Sequence, residues 1–535
     1  MTRRASSPCK RSRASKKSGP AGGQRKARKP GSASTPRLGA GDARSPRLRP
    51  HPGPTQAAGA PAATPTLVAP SGQARPALAP GAWAQVLPLF PPLSAAAREA
   101  LERLPEALAR VRPLSAAHRR SLPEDVATLS RLLTCERGAL RRPYWSSPAF
   151  VSAYLYYFLP WNLLRLTRLL RGLPLPAPQA PAFAGGQALL LDAGSGPLSL
   201  PLALWLARPQ WREAPVRVLA LDSAAQPLEL GRALFTAWGR ILGQKTWPVH
   251  TARGPLGSLA RHAAPLLSGG RGAGRDAQRG PRLQGEAGAV IRPWLISAAN
   301  VLNELPSGRR FGGSEEGEES PGSPRDEPLE RLLDAWAPLL LRGNGDLPAP
   351  PALLFVEPGT RLGGTTIMRL RALALERGLK ALAPCPHQAA CPLLAGSGGR
   401  TWCHFTFDGM GAPDWLRRLS AQAGLAKSGL SLAPLLLAPD VGAEPASEAS
   451  AQALPAALRV SGRGAQPARV LSAPFAVPGL AGQARYACAA AGLLLLEDAA
   501  TLASGDLLPI RLESNAPRDA KSRARVIRRP PPGRD

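Results

Sequence analysis

Two stretches hold residues whose type and spacing can do chemistry. The first is Ala383–Phe405, APCPHQAACPLLAGSGGRTWCHF, with three of the chain's six cysteines and two of its six histidines. Five residues separate Cys385 from Cys391 and eleven separate Cys391 from Cys403; Cys488 is a distant fourth. Cysteines clustered in this way indicate a metal site or a disulfide framework. Four thiolates satisfy either tetrahedral zinc or a four-iron cluster. The close C-x-x-C pairs of zinc ribbons are missing, and Pro384, Pro386 and Pro392 stiffen the turns beside two of the cysteines. That suits a loop wrapped around a bulky cluster. His387 and His404 are alternative ligands for zinc. The plainer alternative is three unrelated buried cysteines. Cys9 lies in a basic low-complexity arm and Cys135 in a helical segment, and both are poor ligands.

The second stretch is ALLLDAGSGPLSLPLALWLA from Ala188, an apolar strand, a glycine turn and an apolar helix. Val216–Asp222, VRVLALD, is a second buried strand that ends in an acid. Strand, glycine turn, helix, strand and acid form the dinucleotide or S-adenosylmethionine pattern. Gly194 and Gly196 let the backbone approach a ligand, and Asp222 is placed to accept hydrogen bonds from ribose hydroxyls. The opening acid, Asp192, favours methyltransferases over dehydrogenases. A structural α/β sheet with a tight turn is the bland reading of the same residues. Trp294–Val301 and Leu353–Glu357 read as further strands, with polar turns at their carboxyl ends, where open α/β sheets bind ligands. Ser297, Asn303 and Glu304 are expected on the substrate side.

Around these stretches the chain divides by composition. The formal net charge of +32 and pI of about 11.4 favour polyanions, nucleic acid before an anionic membrane. Residues 1–82 read as a disordered basic arm; its first fifty residues hold 15 Lys or Arg against Asp42 alone. Residues 83–178 read as helical: Ser94–Val111 has helical apolar spacing, and Ser121–Glu124 looks like a capping box. Tyr144–Leu170 carries four of the five tyrosines, and Pro160 should kink or divide it. Aromatics this dense could stack on bases, but more often pack between helices. Residues 179–510 are expected to form the α/β domain, with Arg361–Lys380 a helix and the cysteine loop at 383–405. Late strands are expected at Arg459-Val460, Ala468–Ala476 and Ala484–Glu497. Ser268–Gly288 and Gly312–Glu330 read as mobile loops, and 511–535 as a second basic tail. No run is long enough for a membrane span, and the cysteine usage suits a reducing interior.

The string VEPGT, then IMRLR, APCPH, CPL and WCHF resembles the Rsm-type mitoribosomal small-subunit methyltransferase-like family, found in mitochondria and in many bacteria. The resemblance spans roughly Tyr144–Glu497 and includes LLLDAGSGP, VLNEL and the late strand with Cys488. It implies a class I S-adenosylmethionine-dependent methyltransferase (Rossmann-like) fold. It implies a 4Fe-4S cluster on Cys385, Cys391, Cys403 and Cys488, with zinc the alternative. It also implies contact with small-subunit rRNA and the ribosomal small subunit, in assembly or translation. The location is then the mitochondrial matrix in a eukaryote and the cytoplasm in a bacterium. S-adenosylmethionine is the second cofactor to consider, held by Asp192, Gly194, Gly196, Asp222, Asn303 and Glu304. If the chain is an enzyme, it is a S-adenosylmethionine-dependent methyltransferase acting on rRNA. Two departures bear on that. Leu198 stands where the family tends to glycine and is expected to crowd the cofactor, and no Asn-Pro-Pro-aromatic motif is present.

Overall fold

A computed structural model describes residues 86–134, 143–178, 186–267, 290–305, 326–341, 351–395, 402–440 and 465–528. The basic arm, Cys9, Cys135, Arg459-Val460, Ser268–Gly288 and most of Gly312–Glu330 lie outside them; Glu327 and Glu330 fall in a helix described below.

The helical region supplies α1 (Ala95–Glu102), α2 (Leu104–Val111), α3 (Ala116–Thr134), α4 (Pro148–Ala153) and α5 (Leu159–Gly172). Two local readings are corrected. Ser94–Val111 is two helices divided at Arg103. Ser121–Glu124 lies inside α3, whose first turn is capped by Ser115 accepting from the His118 N–H. An earlier cap therefore takes the start of the helix, and Ser121 donates instead to Asp125 at 2.9 Å. Pro160 does not divide its segment. A π-helical turn, Tyr154–Phe158, joins α4 to α5 just before it, widening the helix where a proline would otherwise leave a carbonyl unpaired.

The main sheet contains β1 (Gly186–Ala193), β2 (Val216–Asp222), β3 (Val249–Arg253), β4 (Val290–Ala299), β5 (Ala352–Pro358), β6 (Leu379–Ala383), β7 (Phe405–Phe407) and β8 (Leu430–Pro439). Its order is β3-β2-β1-β4-β5-β8-β6, with β7 also on β8. The first five strands are parallel, and β8 runs antiparallel between β5 and β6. The order reverses between β1 and β4, which is where an open α/β sheet makes its ligand crevice. The connecting helices are α6 (Ser199–Ala207), α7 (Ala225–Leu242), α8 (Leu259–Leu267), α9 (Glu327–Leu341), α10 (Arg361–Glu376), α11 (Pro392–Ala395) and α12 (Asp414–Gln422).

Strand side chains alternate between two cores, as a period of two requires. Ala188, Leu190, Val218 and Leu354 face α5, α6 and α7. Leu189, Leu191, Leu219 and Leu353 face α8, α9 and α10. Both faces are covered, so the parallel strands read as continuous apolar runs. The N-terminal helices join the first face; the indole of Trp238 in α7 donates to the Ala100 carbonyl at 3.1 Å.

A second sheet follows, of order β12-β9-β10-β11-β13. It comprises β9 (Ala465–Val470), β10 (Arg485–Ala489), β11 (Gly492–Leu496), β12 (Leu507–Arg511) and β13 (Arg525–Ile527). The structure differs from the expected tail over 511–528, because Val526 and Ile527 are buried and β13 pairs with β11. The helix expected to Lys380 ends at Glu376; Gly378, at φ 75°, turns the chain into β6.

Candidate functional site

The cleft lies at the carboxyl ends of β1, β2 and β4 and measures about 660 Å³. Its floor is the turn after β1. Gly194 (φ 68°) and Gly196 (φ 52°) are left-handed, the conformation that favours glycine. At Gly194 any Cβ would sit 2.6 Å from Val301. Asp222 organises this turn: one carboxylate oxygen accepts from the Gly196 N–H at 2.9 Å, the other from the Ala224 N–H at 2.9 Å. The same carboxylate lines the cleft.

Asp192 is buried beneath the turn and accepts from Ser297 Oγ at 2.6 Å, while its Oδ2 has no partner. Burial raises its pKa to about 6, against the nearby Ser195 and Ser297 hydroxyls, which favour the carboxylate.

Leu198 is left-handed (φ 61°), fully buried and not part of the cleft wall. A Cβ on Gly231 of α7 would meet its Cγ at 2.7 Å. The side chain thus points under α7, and the expected crowding of the cofactor position is corrected.

The other sequence candidates separate. Glu304 lines the cleft; Asn303 and Ser297 do not. Asn303 donates from Nδ2 to Glu357 at 2.6 Å, and Ser297 stands behind Asp192. Glu357, fully buried at the end of β5, also accepts the N–H groups of Val301 and Leu302, each at 2.9 Å. It therefore holds the β4 loop in shape. Sequence reasoning missed Asn300, which lines the cleft at φ 59°. Its signal was an asparagine directly after a strand, one of the few residue types that tolerates left-handed backbone.

Aromatics form the opposite wall. Tyr144, Trp145 and Tyr154 pack on one another with ring centroids 4.8–5.7 Å apart, and all three line the cleft. Tyr154 belongs to the π-helical turn. Burial, and then the Glu304 carboxylate, push its pKa up to about 12. Tyr157 and Trp161 are core residues, donating to Leu425 O and Ser420 Oγ. The aromatic segment is part core and part cleft wall.

The cysteines form a second site. Cys385 follows β6, Cys391 precedes α11, Cys403 precedes β7, and Cys488 lies in β10 of the second sheet. All four are free thiols lining one small cavity with His387, Arg371 and Arg469. Burial raises the Cys385, Cys403 and Cys488 thiols, and the neighbouring cysteines raise them further. Among the described residues no three His, Cys, Asp or Glu side chains gather around the position of a single metal ion. His387 Nε2 lies 3.2 Å from Cys488 Sγ. His404 does not line the cavity: it stacks on Trp402 at 5.0 Å and donates to that residue's carbonyl. The approach of α10 depends on Gly364, where any Cβ would be 2.5 Å from the Cys403 carbonyl oxygen.

No curated protein sequence matches the chain. Among solved structures, a putative class I S-adenosylmethionine-dependent methyltransferase from Listeria monocytogenes is similar at 10% identity and TM-score 0.24, over 66% of this chain and 90% of that one. Magnesium protoporphyrin IX methyltransferase from Synechocystis PCC 6803 is similar at 11% identity and TM-score 0.21, over 48% and 87%. A type I restriction-modification methyltransferase subunit from Streptococcus thermophilus is similar at 13% identity and TM-score 0.21, over 53% of this chain but 43% of its own length. The fold itself, read from strand order and direction, is that of a class I methyltransferase. Residues 347–410, which hold three of the four cavity cysteines, match the family model described as mitochondrial small ribosomal subunit Rsm22.

Proposed function

We propose that the chain is a small-ribosomal-subunit assembly or translation factor that binds rRNA, with a methyltransferase fold fastened by a 4Fe-4S cluster on Cys385, Cys391, Cys403 and Cys488. The observation that carries this reading is the convergence of Cys488, from a separate sheet, on three cysteines of the family-matched stretch. The donor set suits a multi-iron group: four free thiols and two buried guanidiniums line one cavity. Such a cluster supplies iron–sulfur bonds that add their binding energy to folding. The chain's part is to hold the main sheet and the second sheet together around it.

The decisive test is anaerobic purification with iron, sulfide and zinc analysis. A brown protein with about four irons per chain is expected for such a cluster. A colourless protein with stoichiometric zinc refutes the cluster. For the ribosomal part, affinity for small-subunit rRNA should fall steeply with salt, because basic side chains release counterions. Flat binding between low and moderate salt refutes it. In a eukaryote this role places the protein in the mitochondrial matrix; no described helix is long and apolar enough to cross a membrane.

A second reading, methyl transfer to rRNA, is favoured by one observation: the cleft at the β1–β4 reversal is open, with Leu198 turned away from it. The glycine turn, Asp192 and Asp222 would hold S-adenosylmethionine, which supplies the methyl group, and the Tyr144–Trp145 wall would face the acceptor. Calorimetry with S-adenosylmethionine tests this, and absence of heat at high protein concentration sinks it.

A further inference from the structure

We infer that Arg371 and Arg469 are the counter-charges of the four-cysteine cavity, placed to neutralise the group bound there and to ease its one-electron reduction. This rests on the cluster reading above. The two residues come from unrelated elements, α10 and β9, yet both side chains reach the same cavity and both are buried.

Taking a guanidinium out of water is costly unless charge and hydrogen bonds replace the solvent. The hydrogen bonds are there. Arg371 Nη2 donates to the carbonyls of His387 at 2.8 Å and Ala389 at 2.9 Å. Arg469 donates through Nε to the Pro384 carbonyl and through Nη1 to that of Gly505, both at 2.8 Å. Carbonyls carry no net charge, however. Asp506 acts on Arg469 through space, but it also acts on Arg485. Arg371 Nε has no partner at all. Both guanidiniums share the cavity with Cys385, Cys391, Cys403 and Cys488, whose sulfurs, as thiolates on the bound group, would be the compensating anions. Arg469 also stands directly opposite Cys488 in the β9–β10 pairing.

The charge count explains the arrangement. Four thiolates on an oxidised four-iron core leave the group doubly negative. One electron from an external reductant such as dithionite makes it triply negative, with no bond made or broken. Hydrogen bonds and net charge set the potential of such a group, and two fixed positive charges beside it favour the reduced state. Arg371 and Arg469 are therefore positioning residues that act through the bound group.

The test uses the full chain, purified anaerobically as wild type, Arg371→Gln, Arg469→Gln and Arg469→Lys. Iron and sulfide are assayed, and the cluster is titrated with dithionite while visible bleaching and the paramagnetic signal are followed. The Gln variants are expected to reduce at a lower potential than wild type, with Arg469→Lys restored towards it. Loaded Gln variants with an unshifted potential overturn the inference. If Arg469→Gln fails to load but Arg469→Lys loads, charge is required and the inference stands. If both fail, loop geometry is what matters and the inference falls. A wild-type chain without iron overturns the cluster reading itself, a result distinct from all of these.

Discussion

Leu198 sets two effects of opposite sign against each other, and the structure decides which wins. Its left-handed backbone costs a branched residue about 1–2 kcal/mol relative to the right-handed helix. Replacing it by glycine, which tolerates the left-handed region, recovers that strain. The same change removes a fully buried side chain packed beneath α7. Loss of a buried leucine down to alanine costs about 2–5 kcal/mol, and glycine adds roughly 0.5–1 kcal/mol of unfolded-state entropy. The packing loss exceeds the relief. Leu198→Gly is therefore expected to be destabilised by about 3 kcal/mol, the packing and entropy losses less the strain relief. Urea unfolding with unchanged m-value measures it. Any affinity for S-adenosylmethionine should stay within a few-fold, because the side chain does not line the cleft. A more stable variant refutes the reasoning, since strain relief would then outweigh the packing beneath α7, and a tenfold gain in affinity refutes it by putting Leu198 in the cleft.

Cys488→Ser should cost the cluster as fully as Cys385→Ser, read by iron content; full iron in Cys488→Ser would make His387, which lies beside it, the next ligand to test. Gly364→Ala forces α10 against the Cys403 carbonyl and should cost about 1–3 kcal/mol of overpacking, with a drop in iron retention; an iron-replete variant of wild-type Tm counts against that close approach. Asp192 binds its proton more tightly folded than unfolded, so its contribution is full below the unfolded pKa near 4 and fades as pH rises through about 6. At 1.36 kcal/mol per unit this is worth about 3 kcal/mol, and Asp192→Asn should remove most of that loss between pH 4 and 8 when stability is followed by denaturant melts; parallel pH profiles would show that the carboxyl is not buried as described.

Legibility in the sequence followed how local the determining physics is. The strand ending at Asp192, its glycine turn and the strand ending at Asp222 were readable because strand burial and left-handed glycines leave marks within a few residues. β3, VHTAR, left no mark: it is an edge strand, none of its residues is fully buried, and so it lacks the apolar run of its neighbours. β6 was absorbed into the preceding helix, although Gly378 was a stop signal in plain view. Ser121–Glu124 misled because a capping pattern is only a local preference, and Ser115 had already started the helix. Asn303 misled for a longer-range reason. Its partner, Glu357, is 54 residues away, and only the β4–β5 pairing brings the two together.

The two sites are joined by the passage from β5 into α10. Glu357, the penultimate residue of β5, carries the amides of Val301 and Leu302 and so shapes one wall of the cleft. Seven residues later Gly364, in the first turn of α10, lies against the Cys403 carbonyl. Between them Gly363 allows the helix to start against the Pro358 carbonyl, 2.3 Å from where a Cβ would be. One rigid strand–helix joint therefore touches both the cleft and the cysteine cavity, with glycine at each close approach. A group bound by the four cysteines would fix the Cys403 loop on α10 and, through the same joint, support the loop that Glu357 holds. In this architecture the cysteine site need not do chemistry to matter to the cleft. Its proposed effect is to keep the second sheet, which brings Cys488, fastened to the element on which the cleft's wall depends.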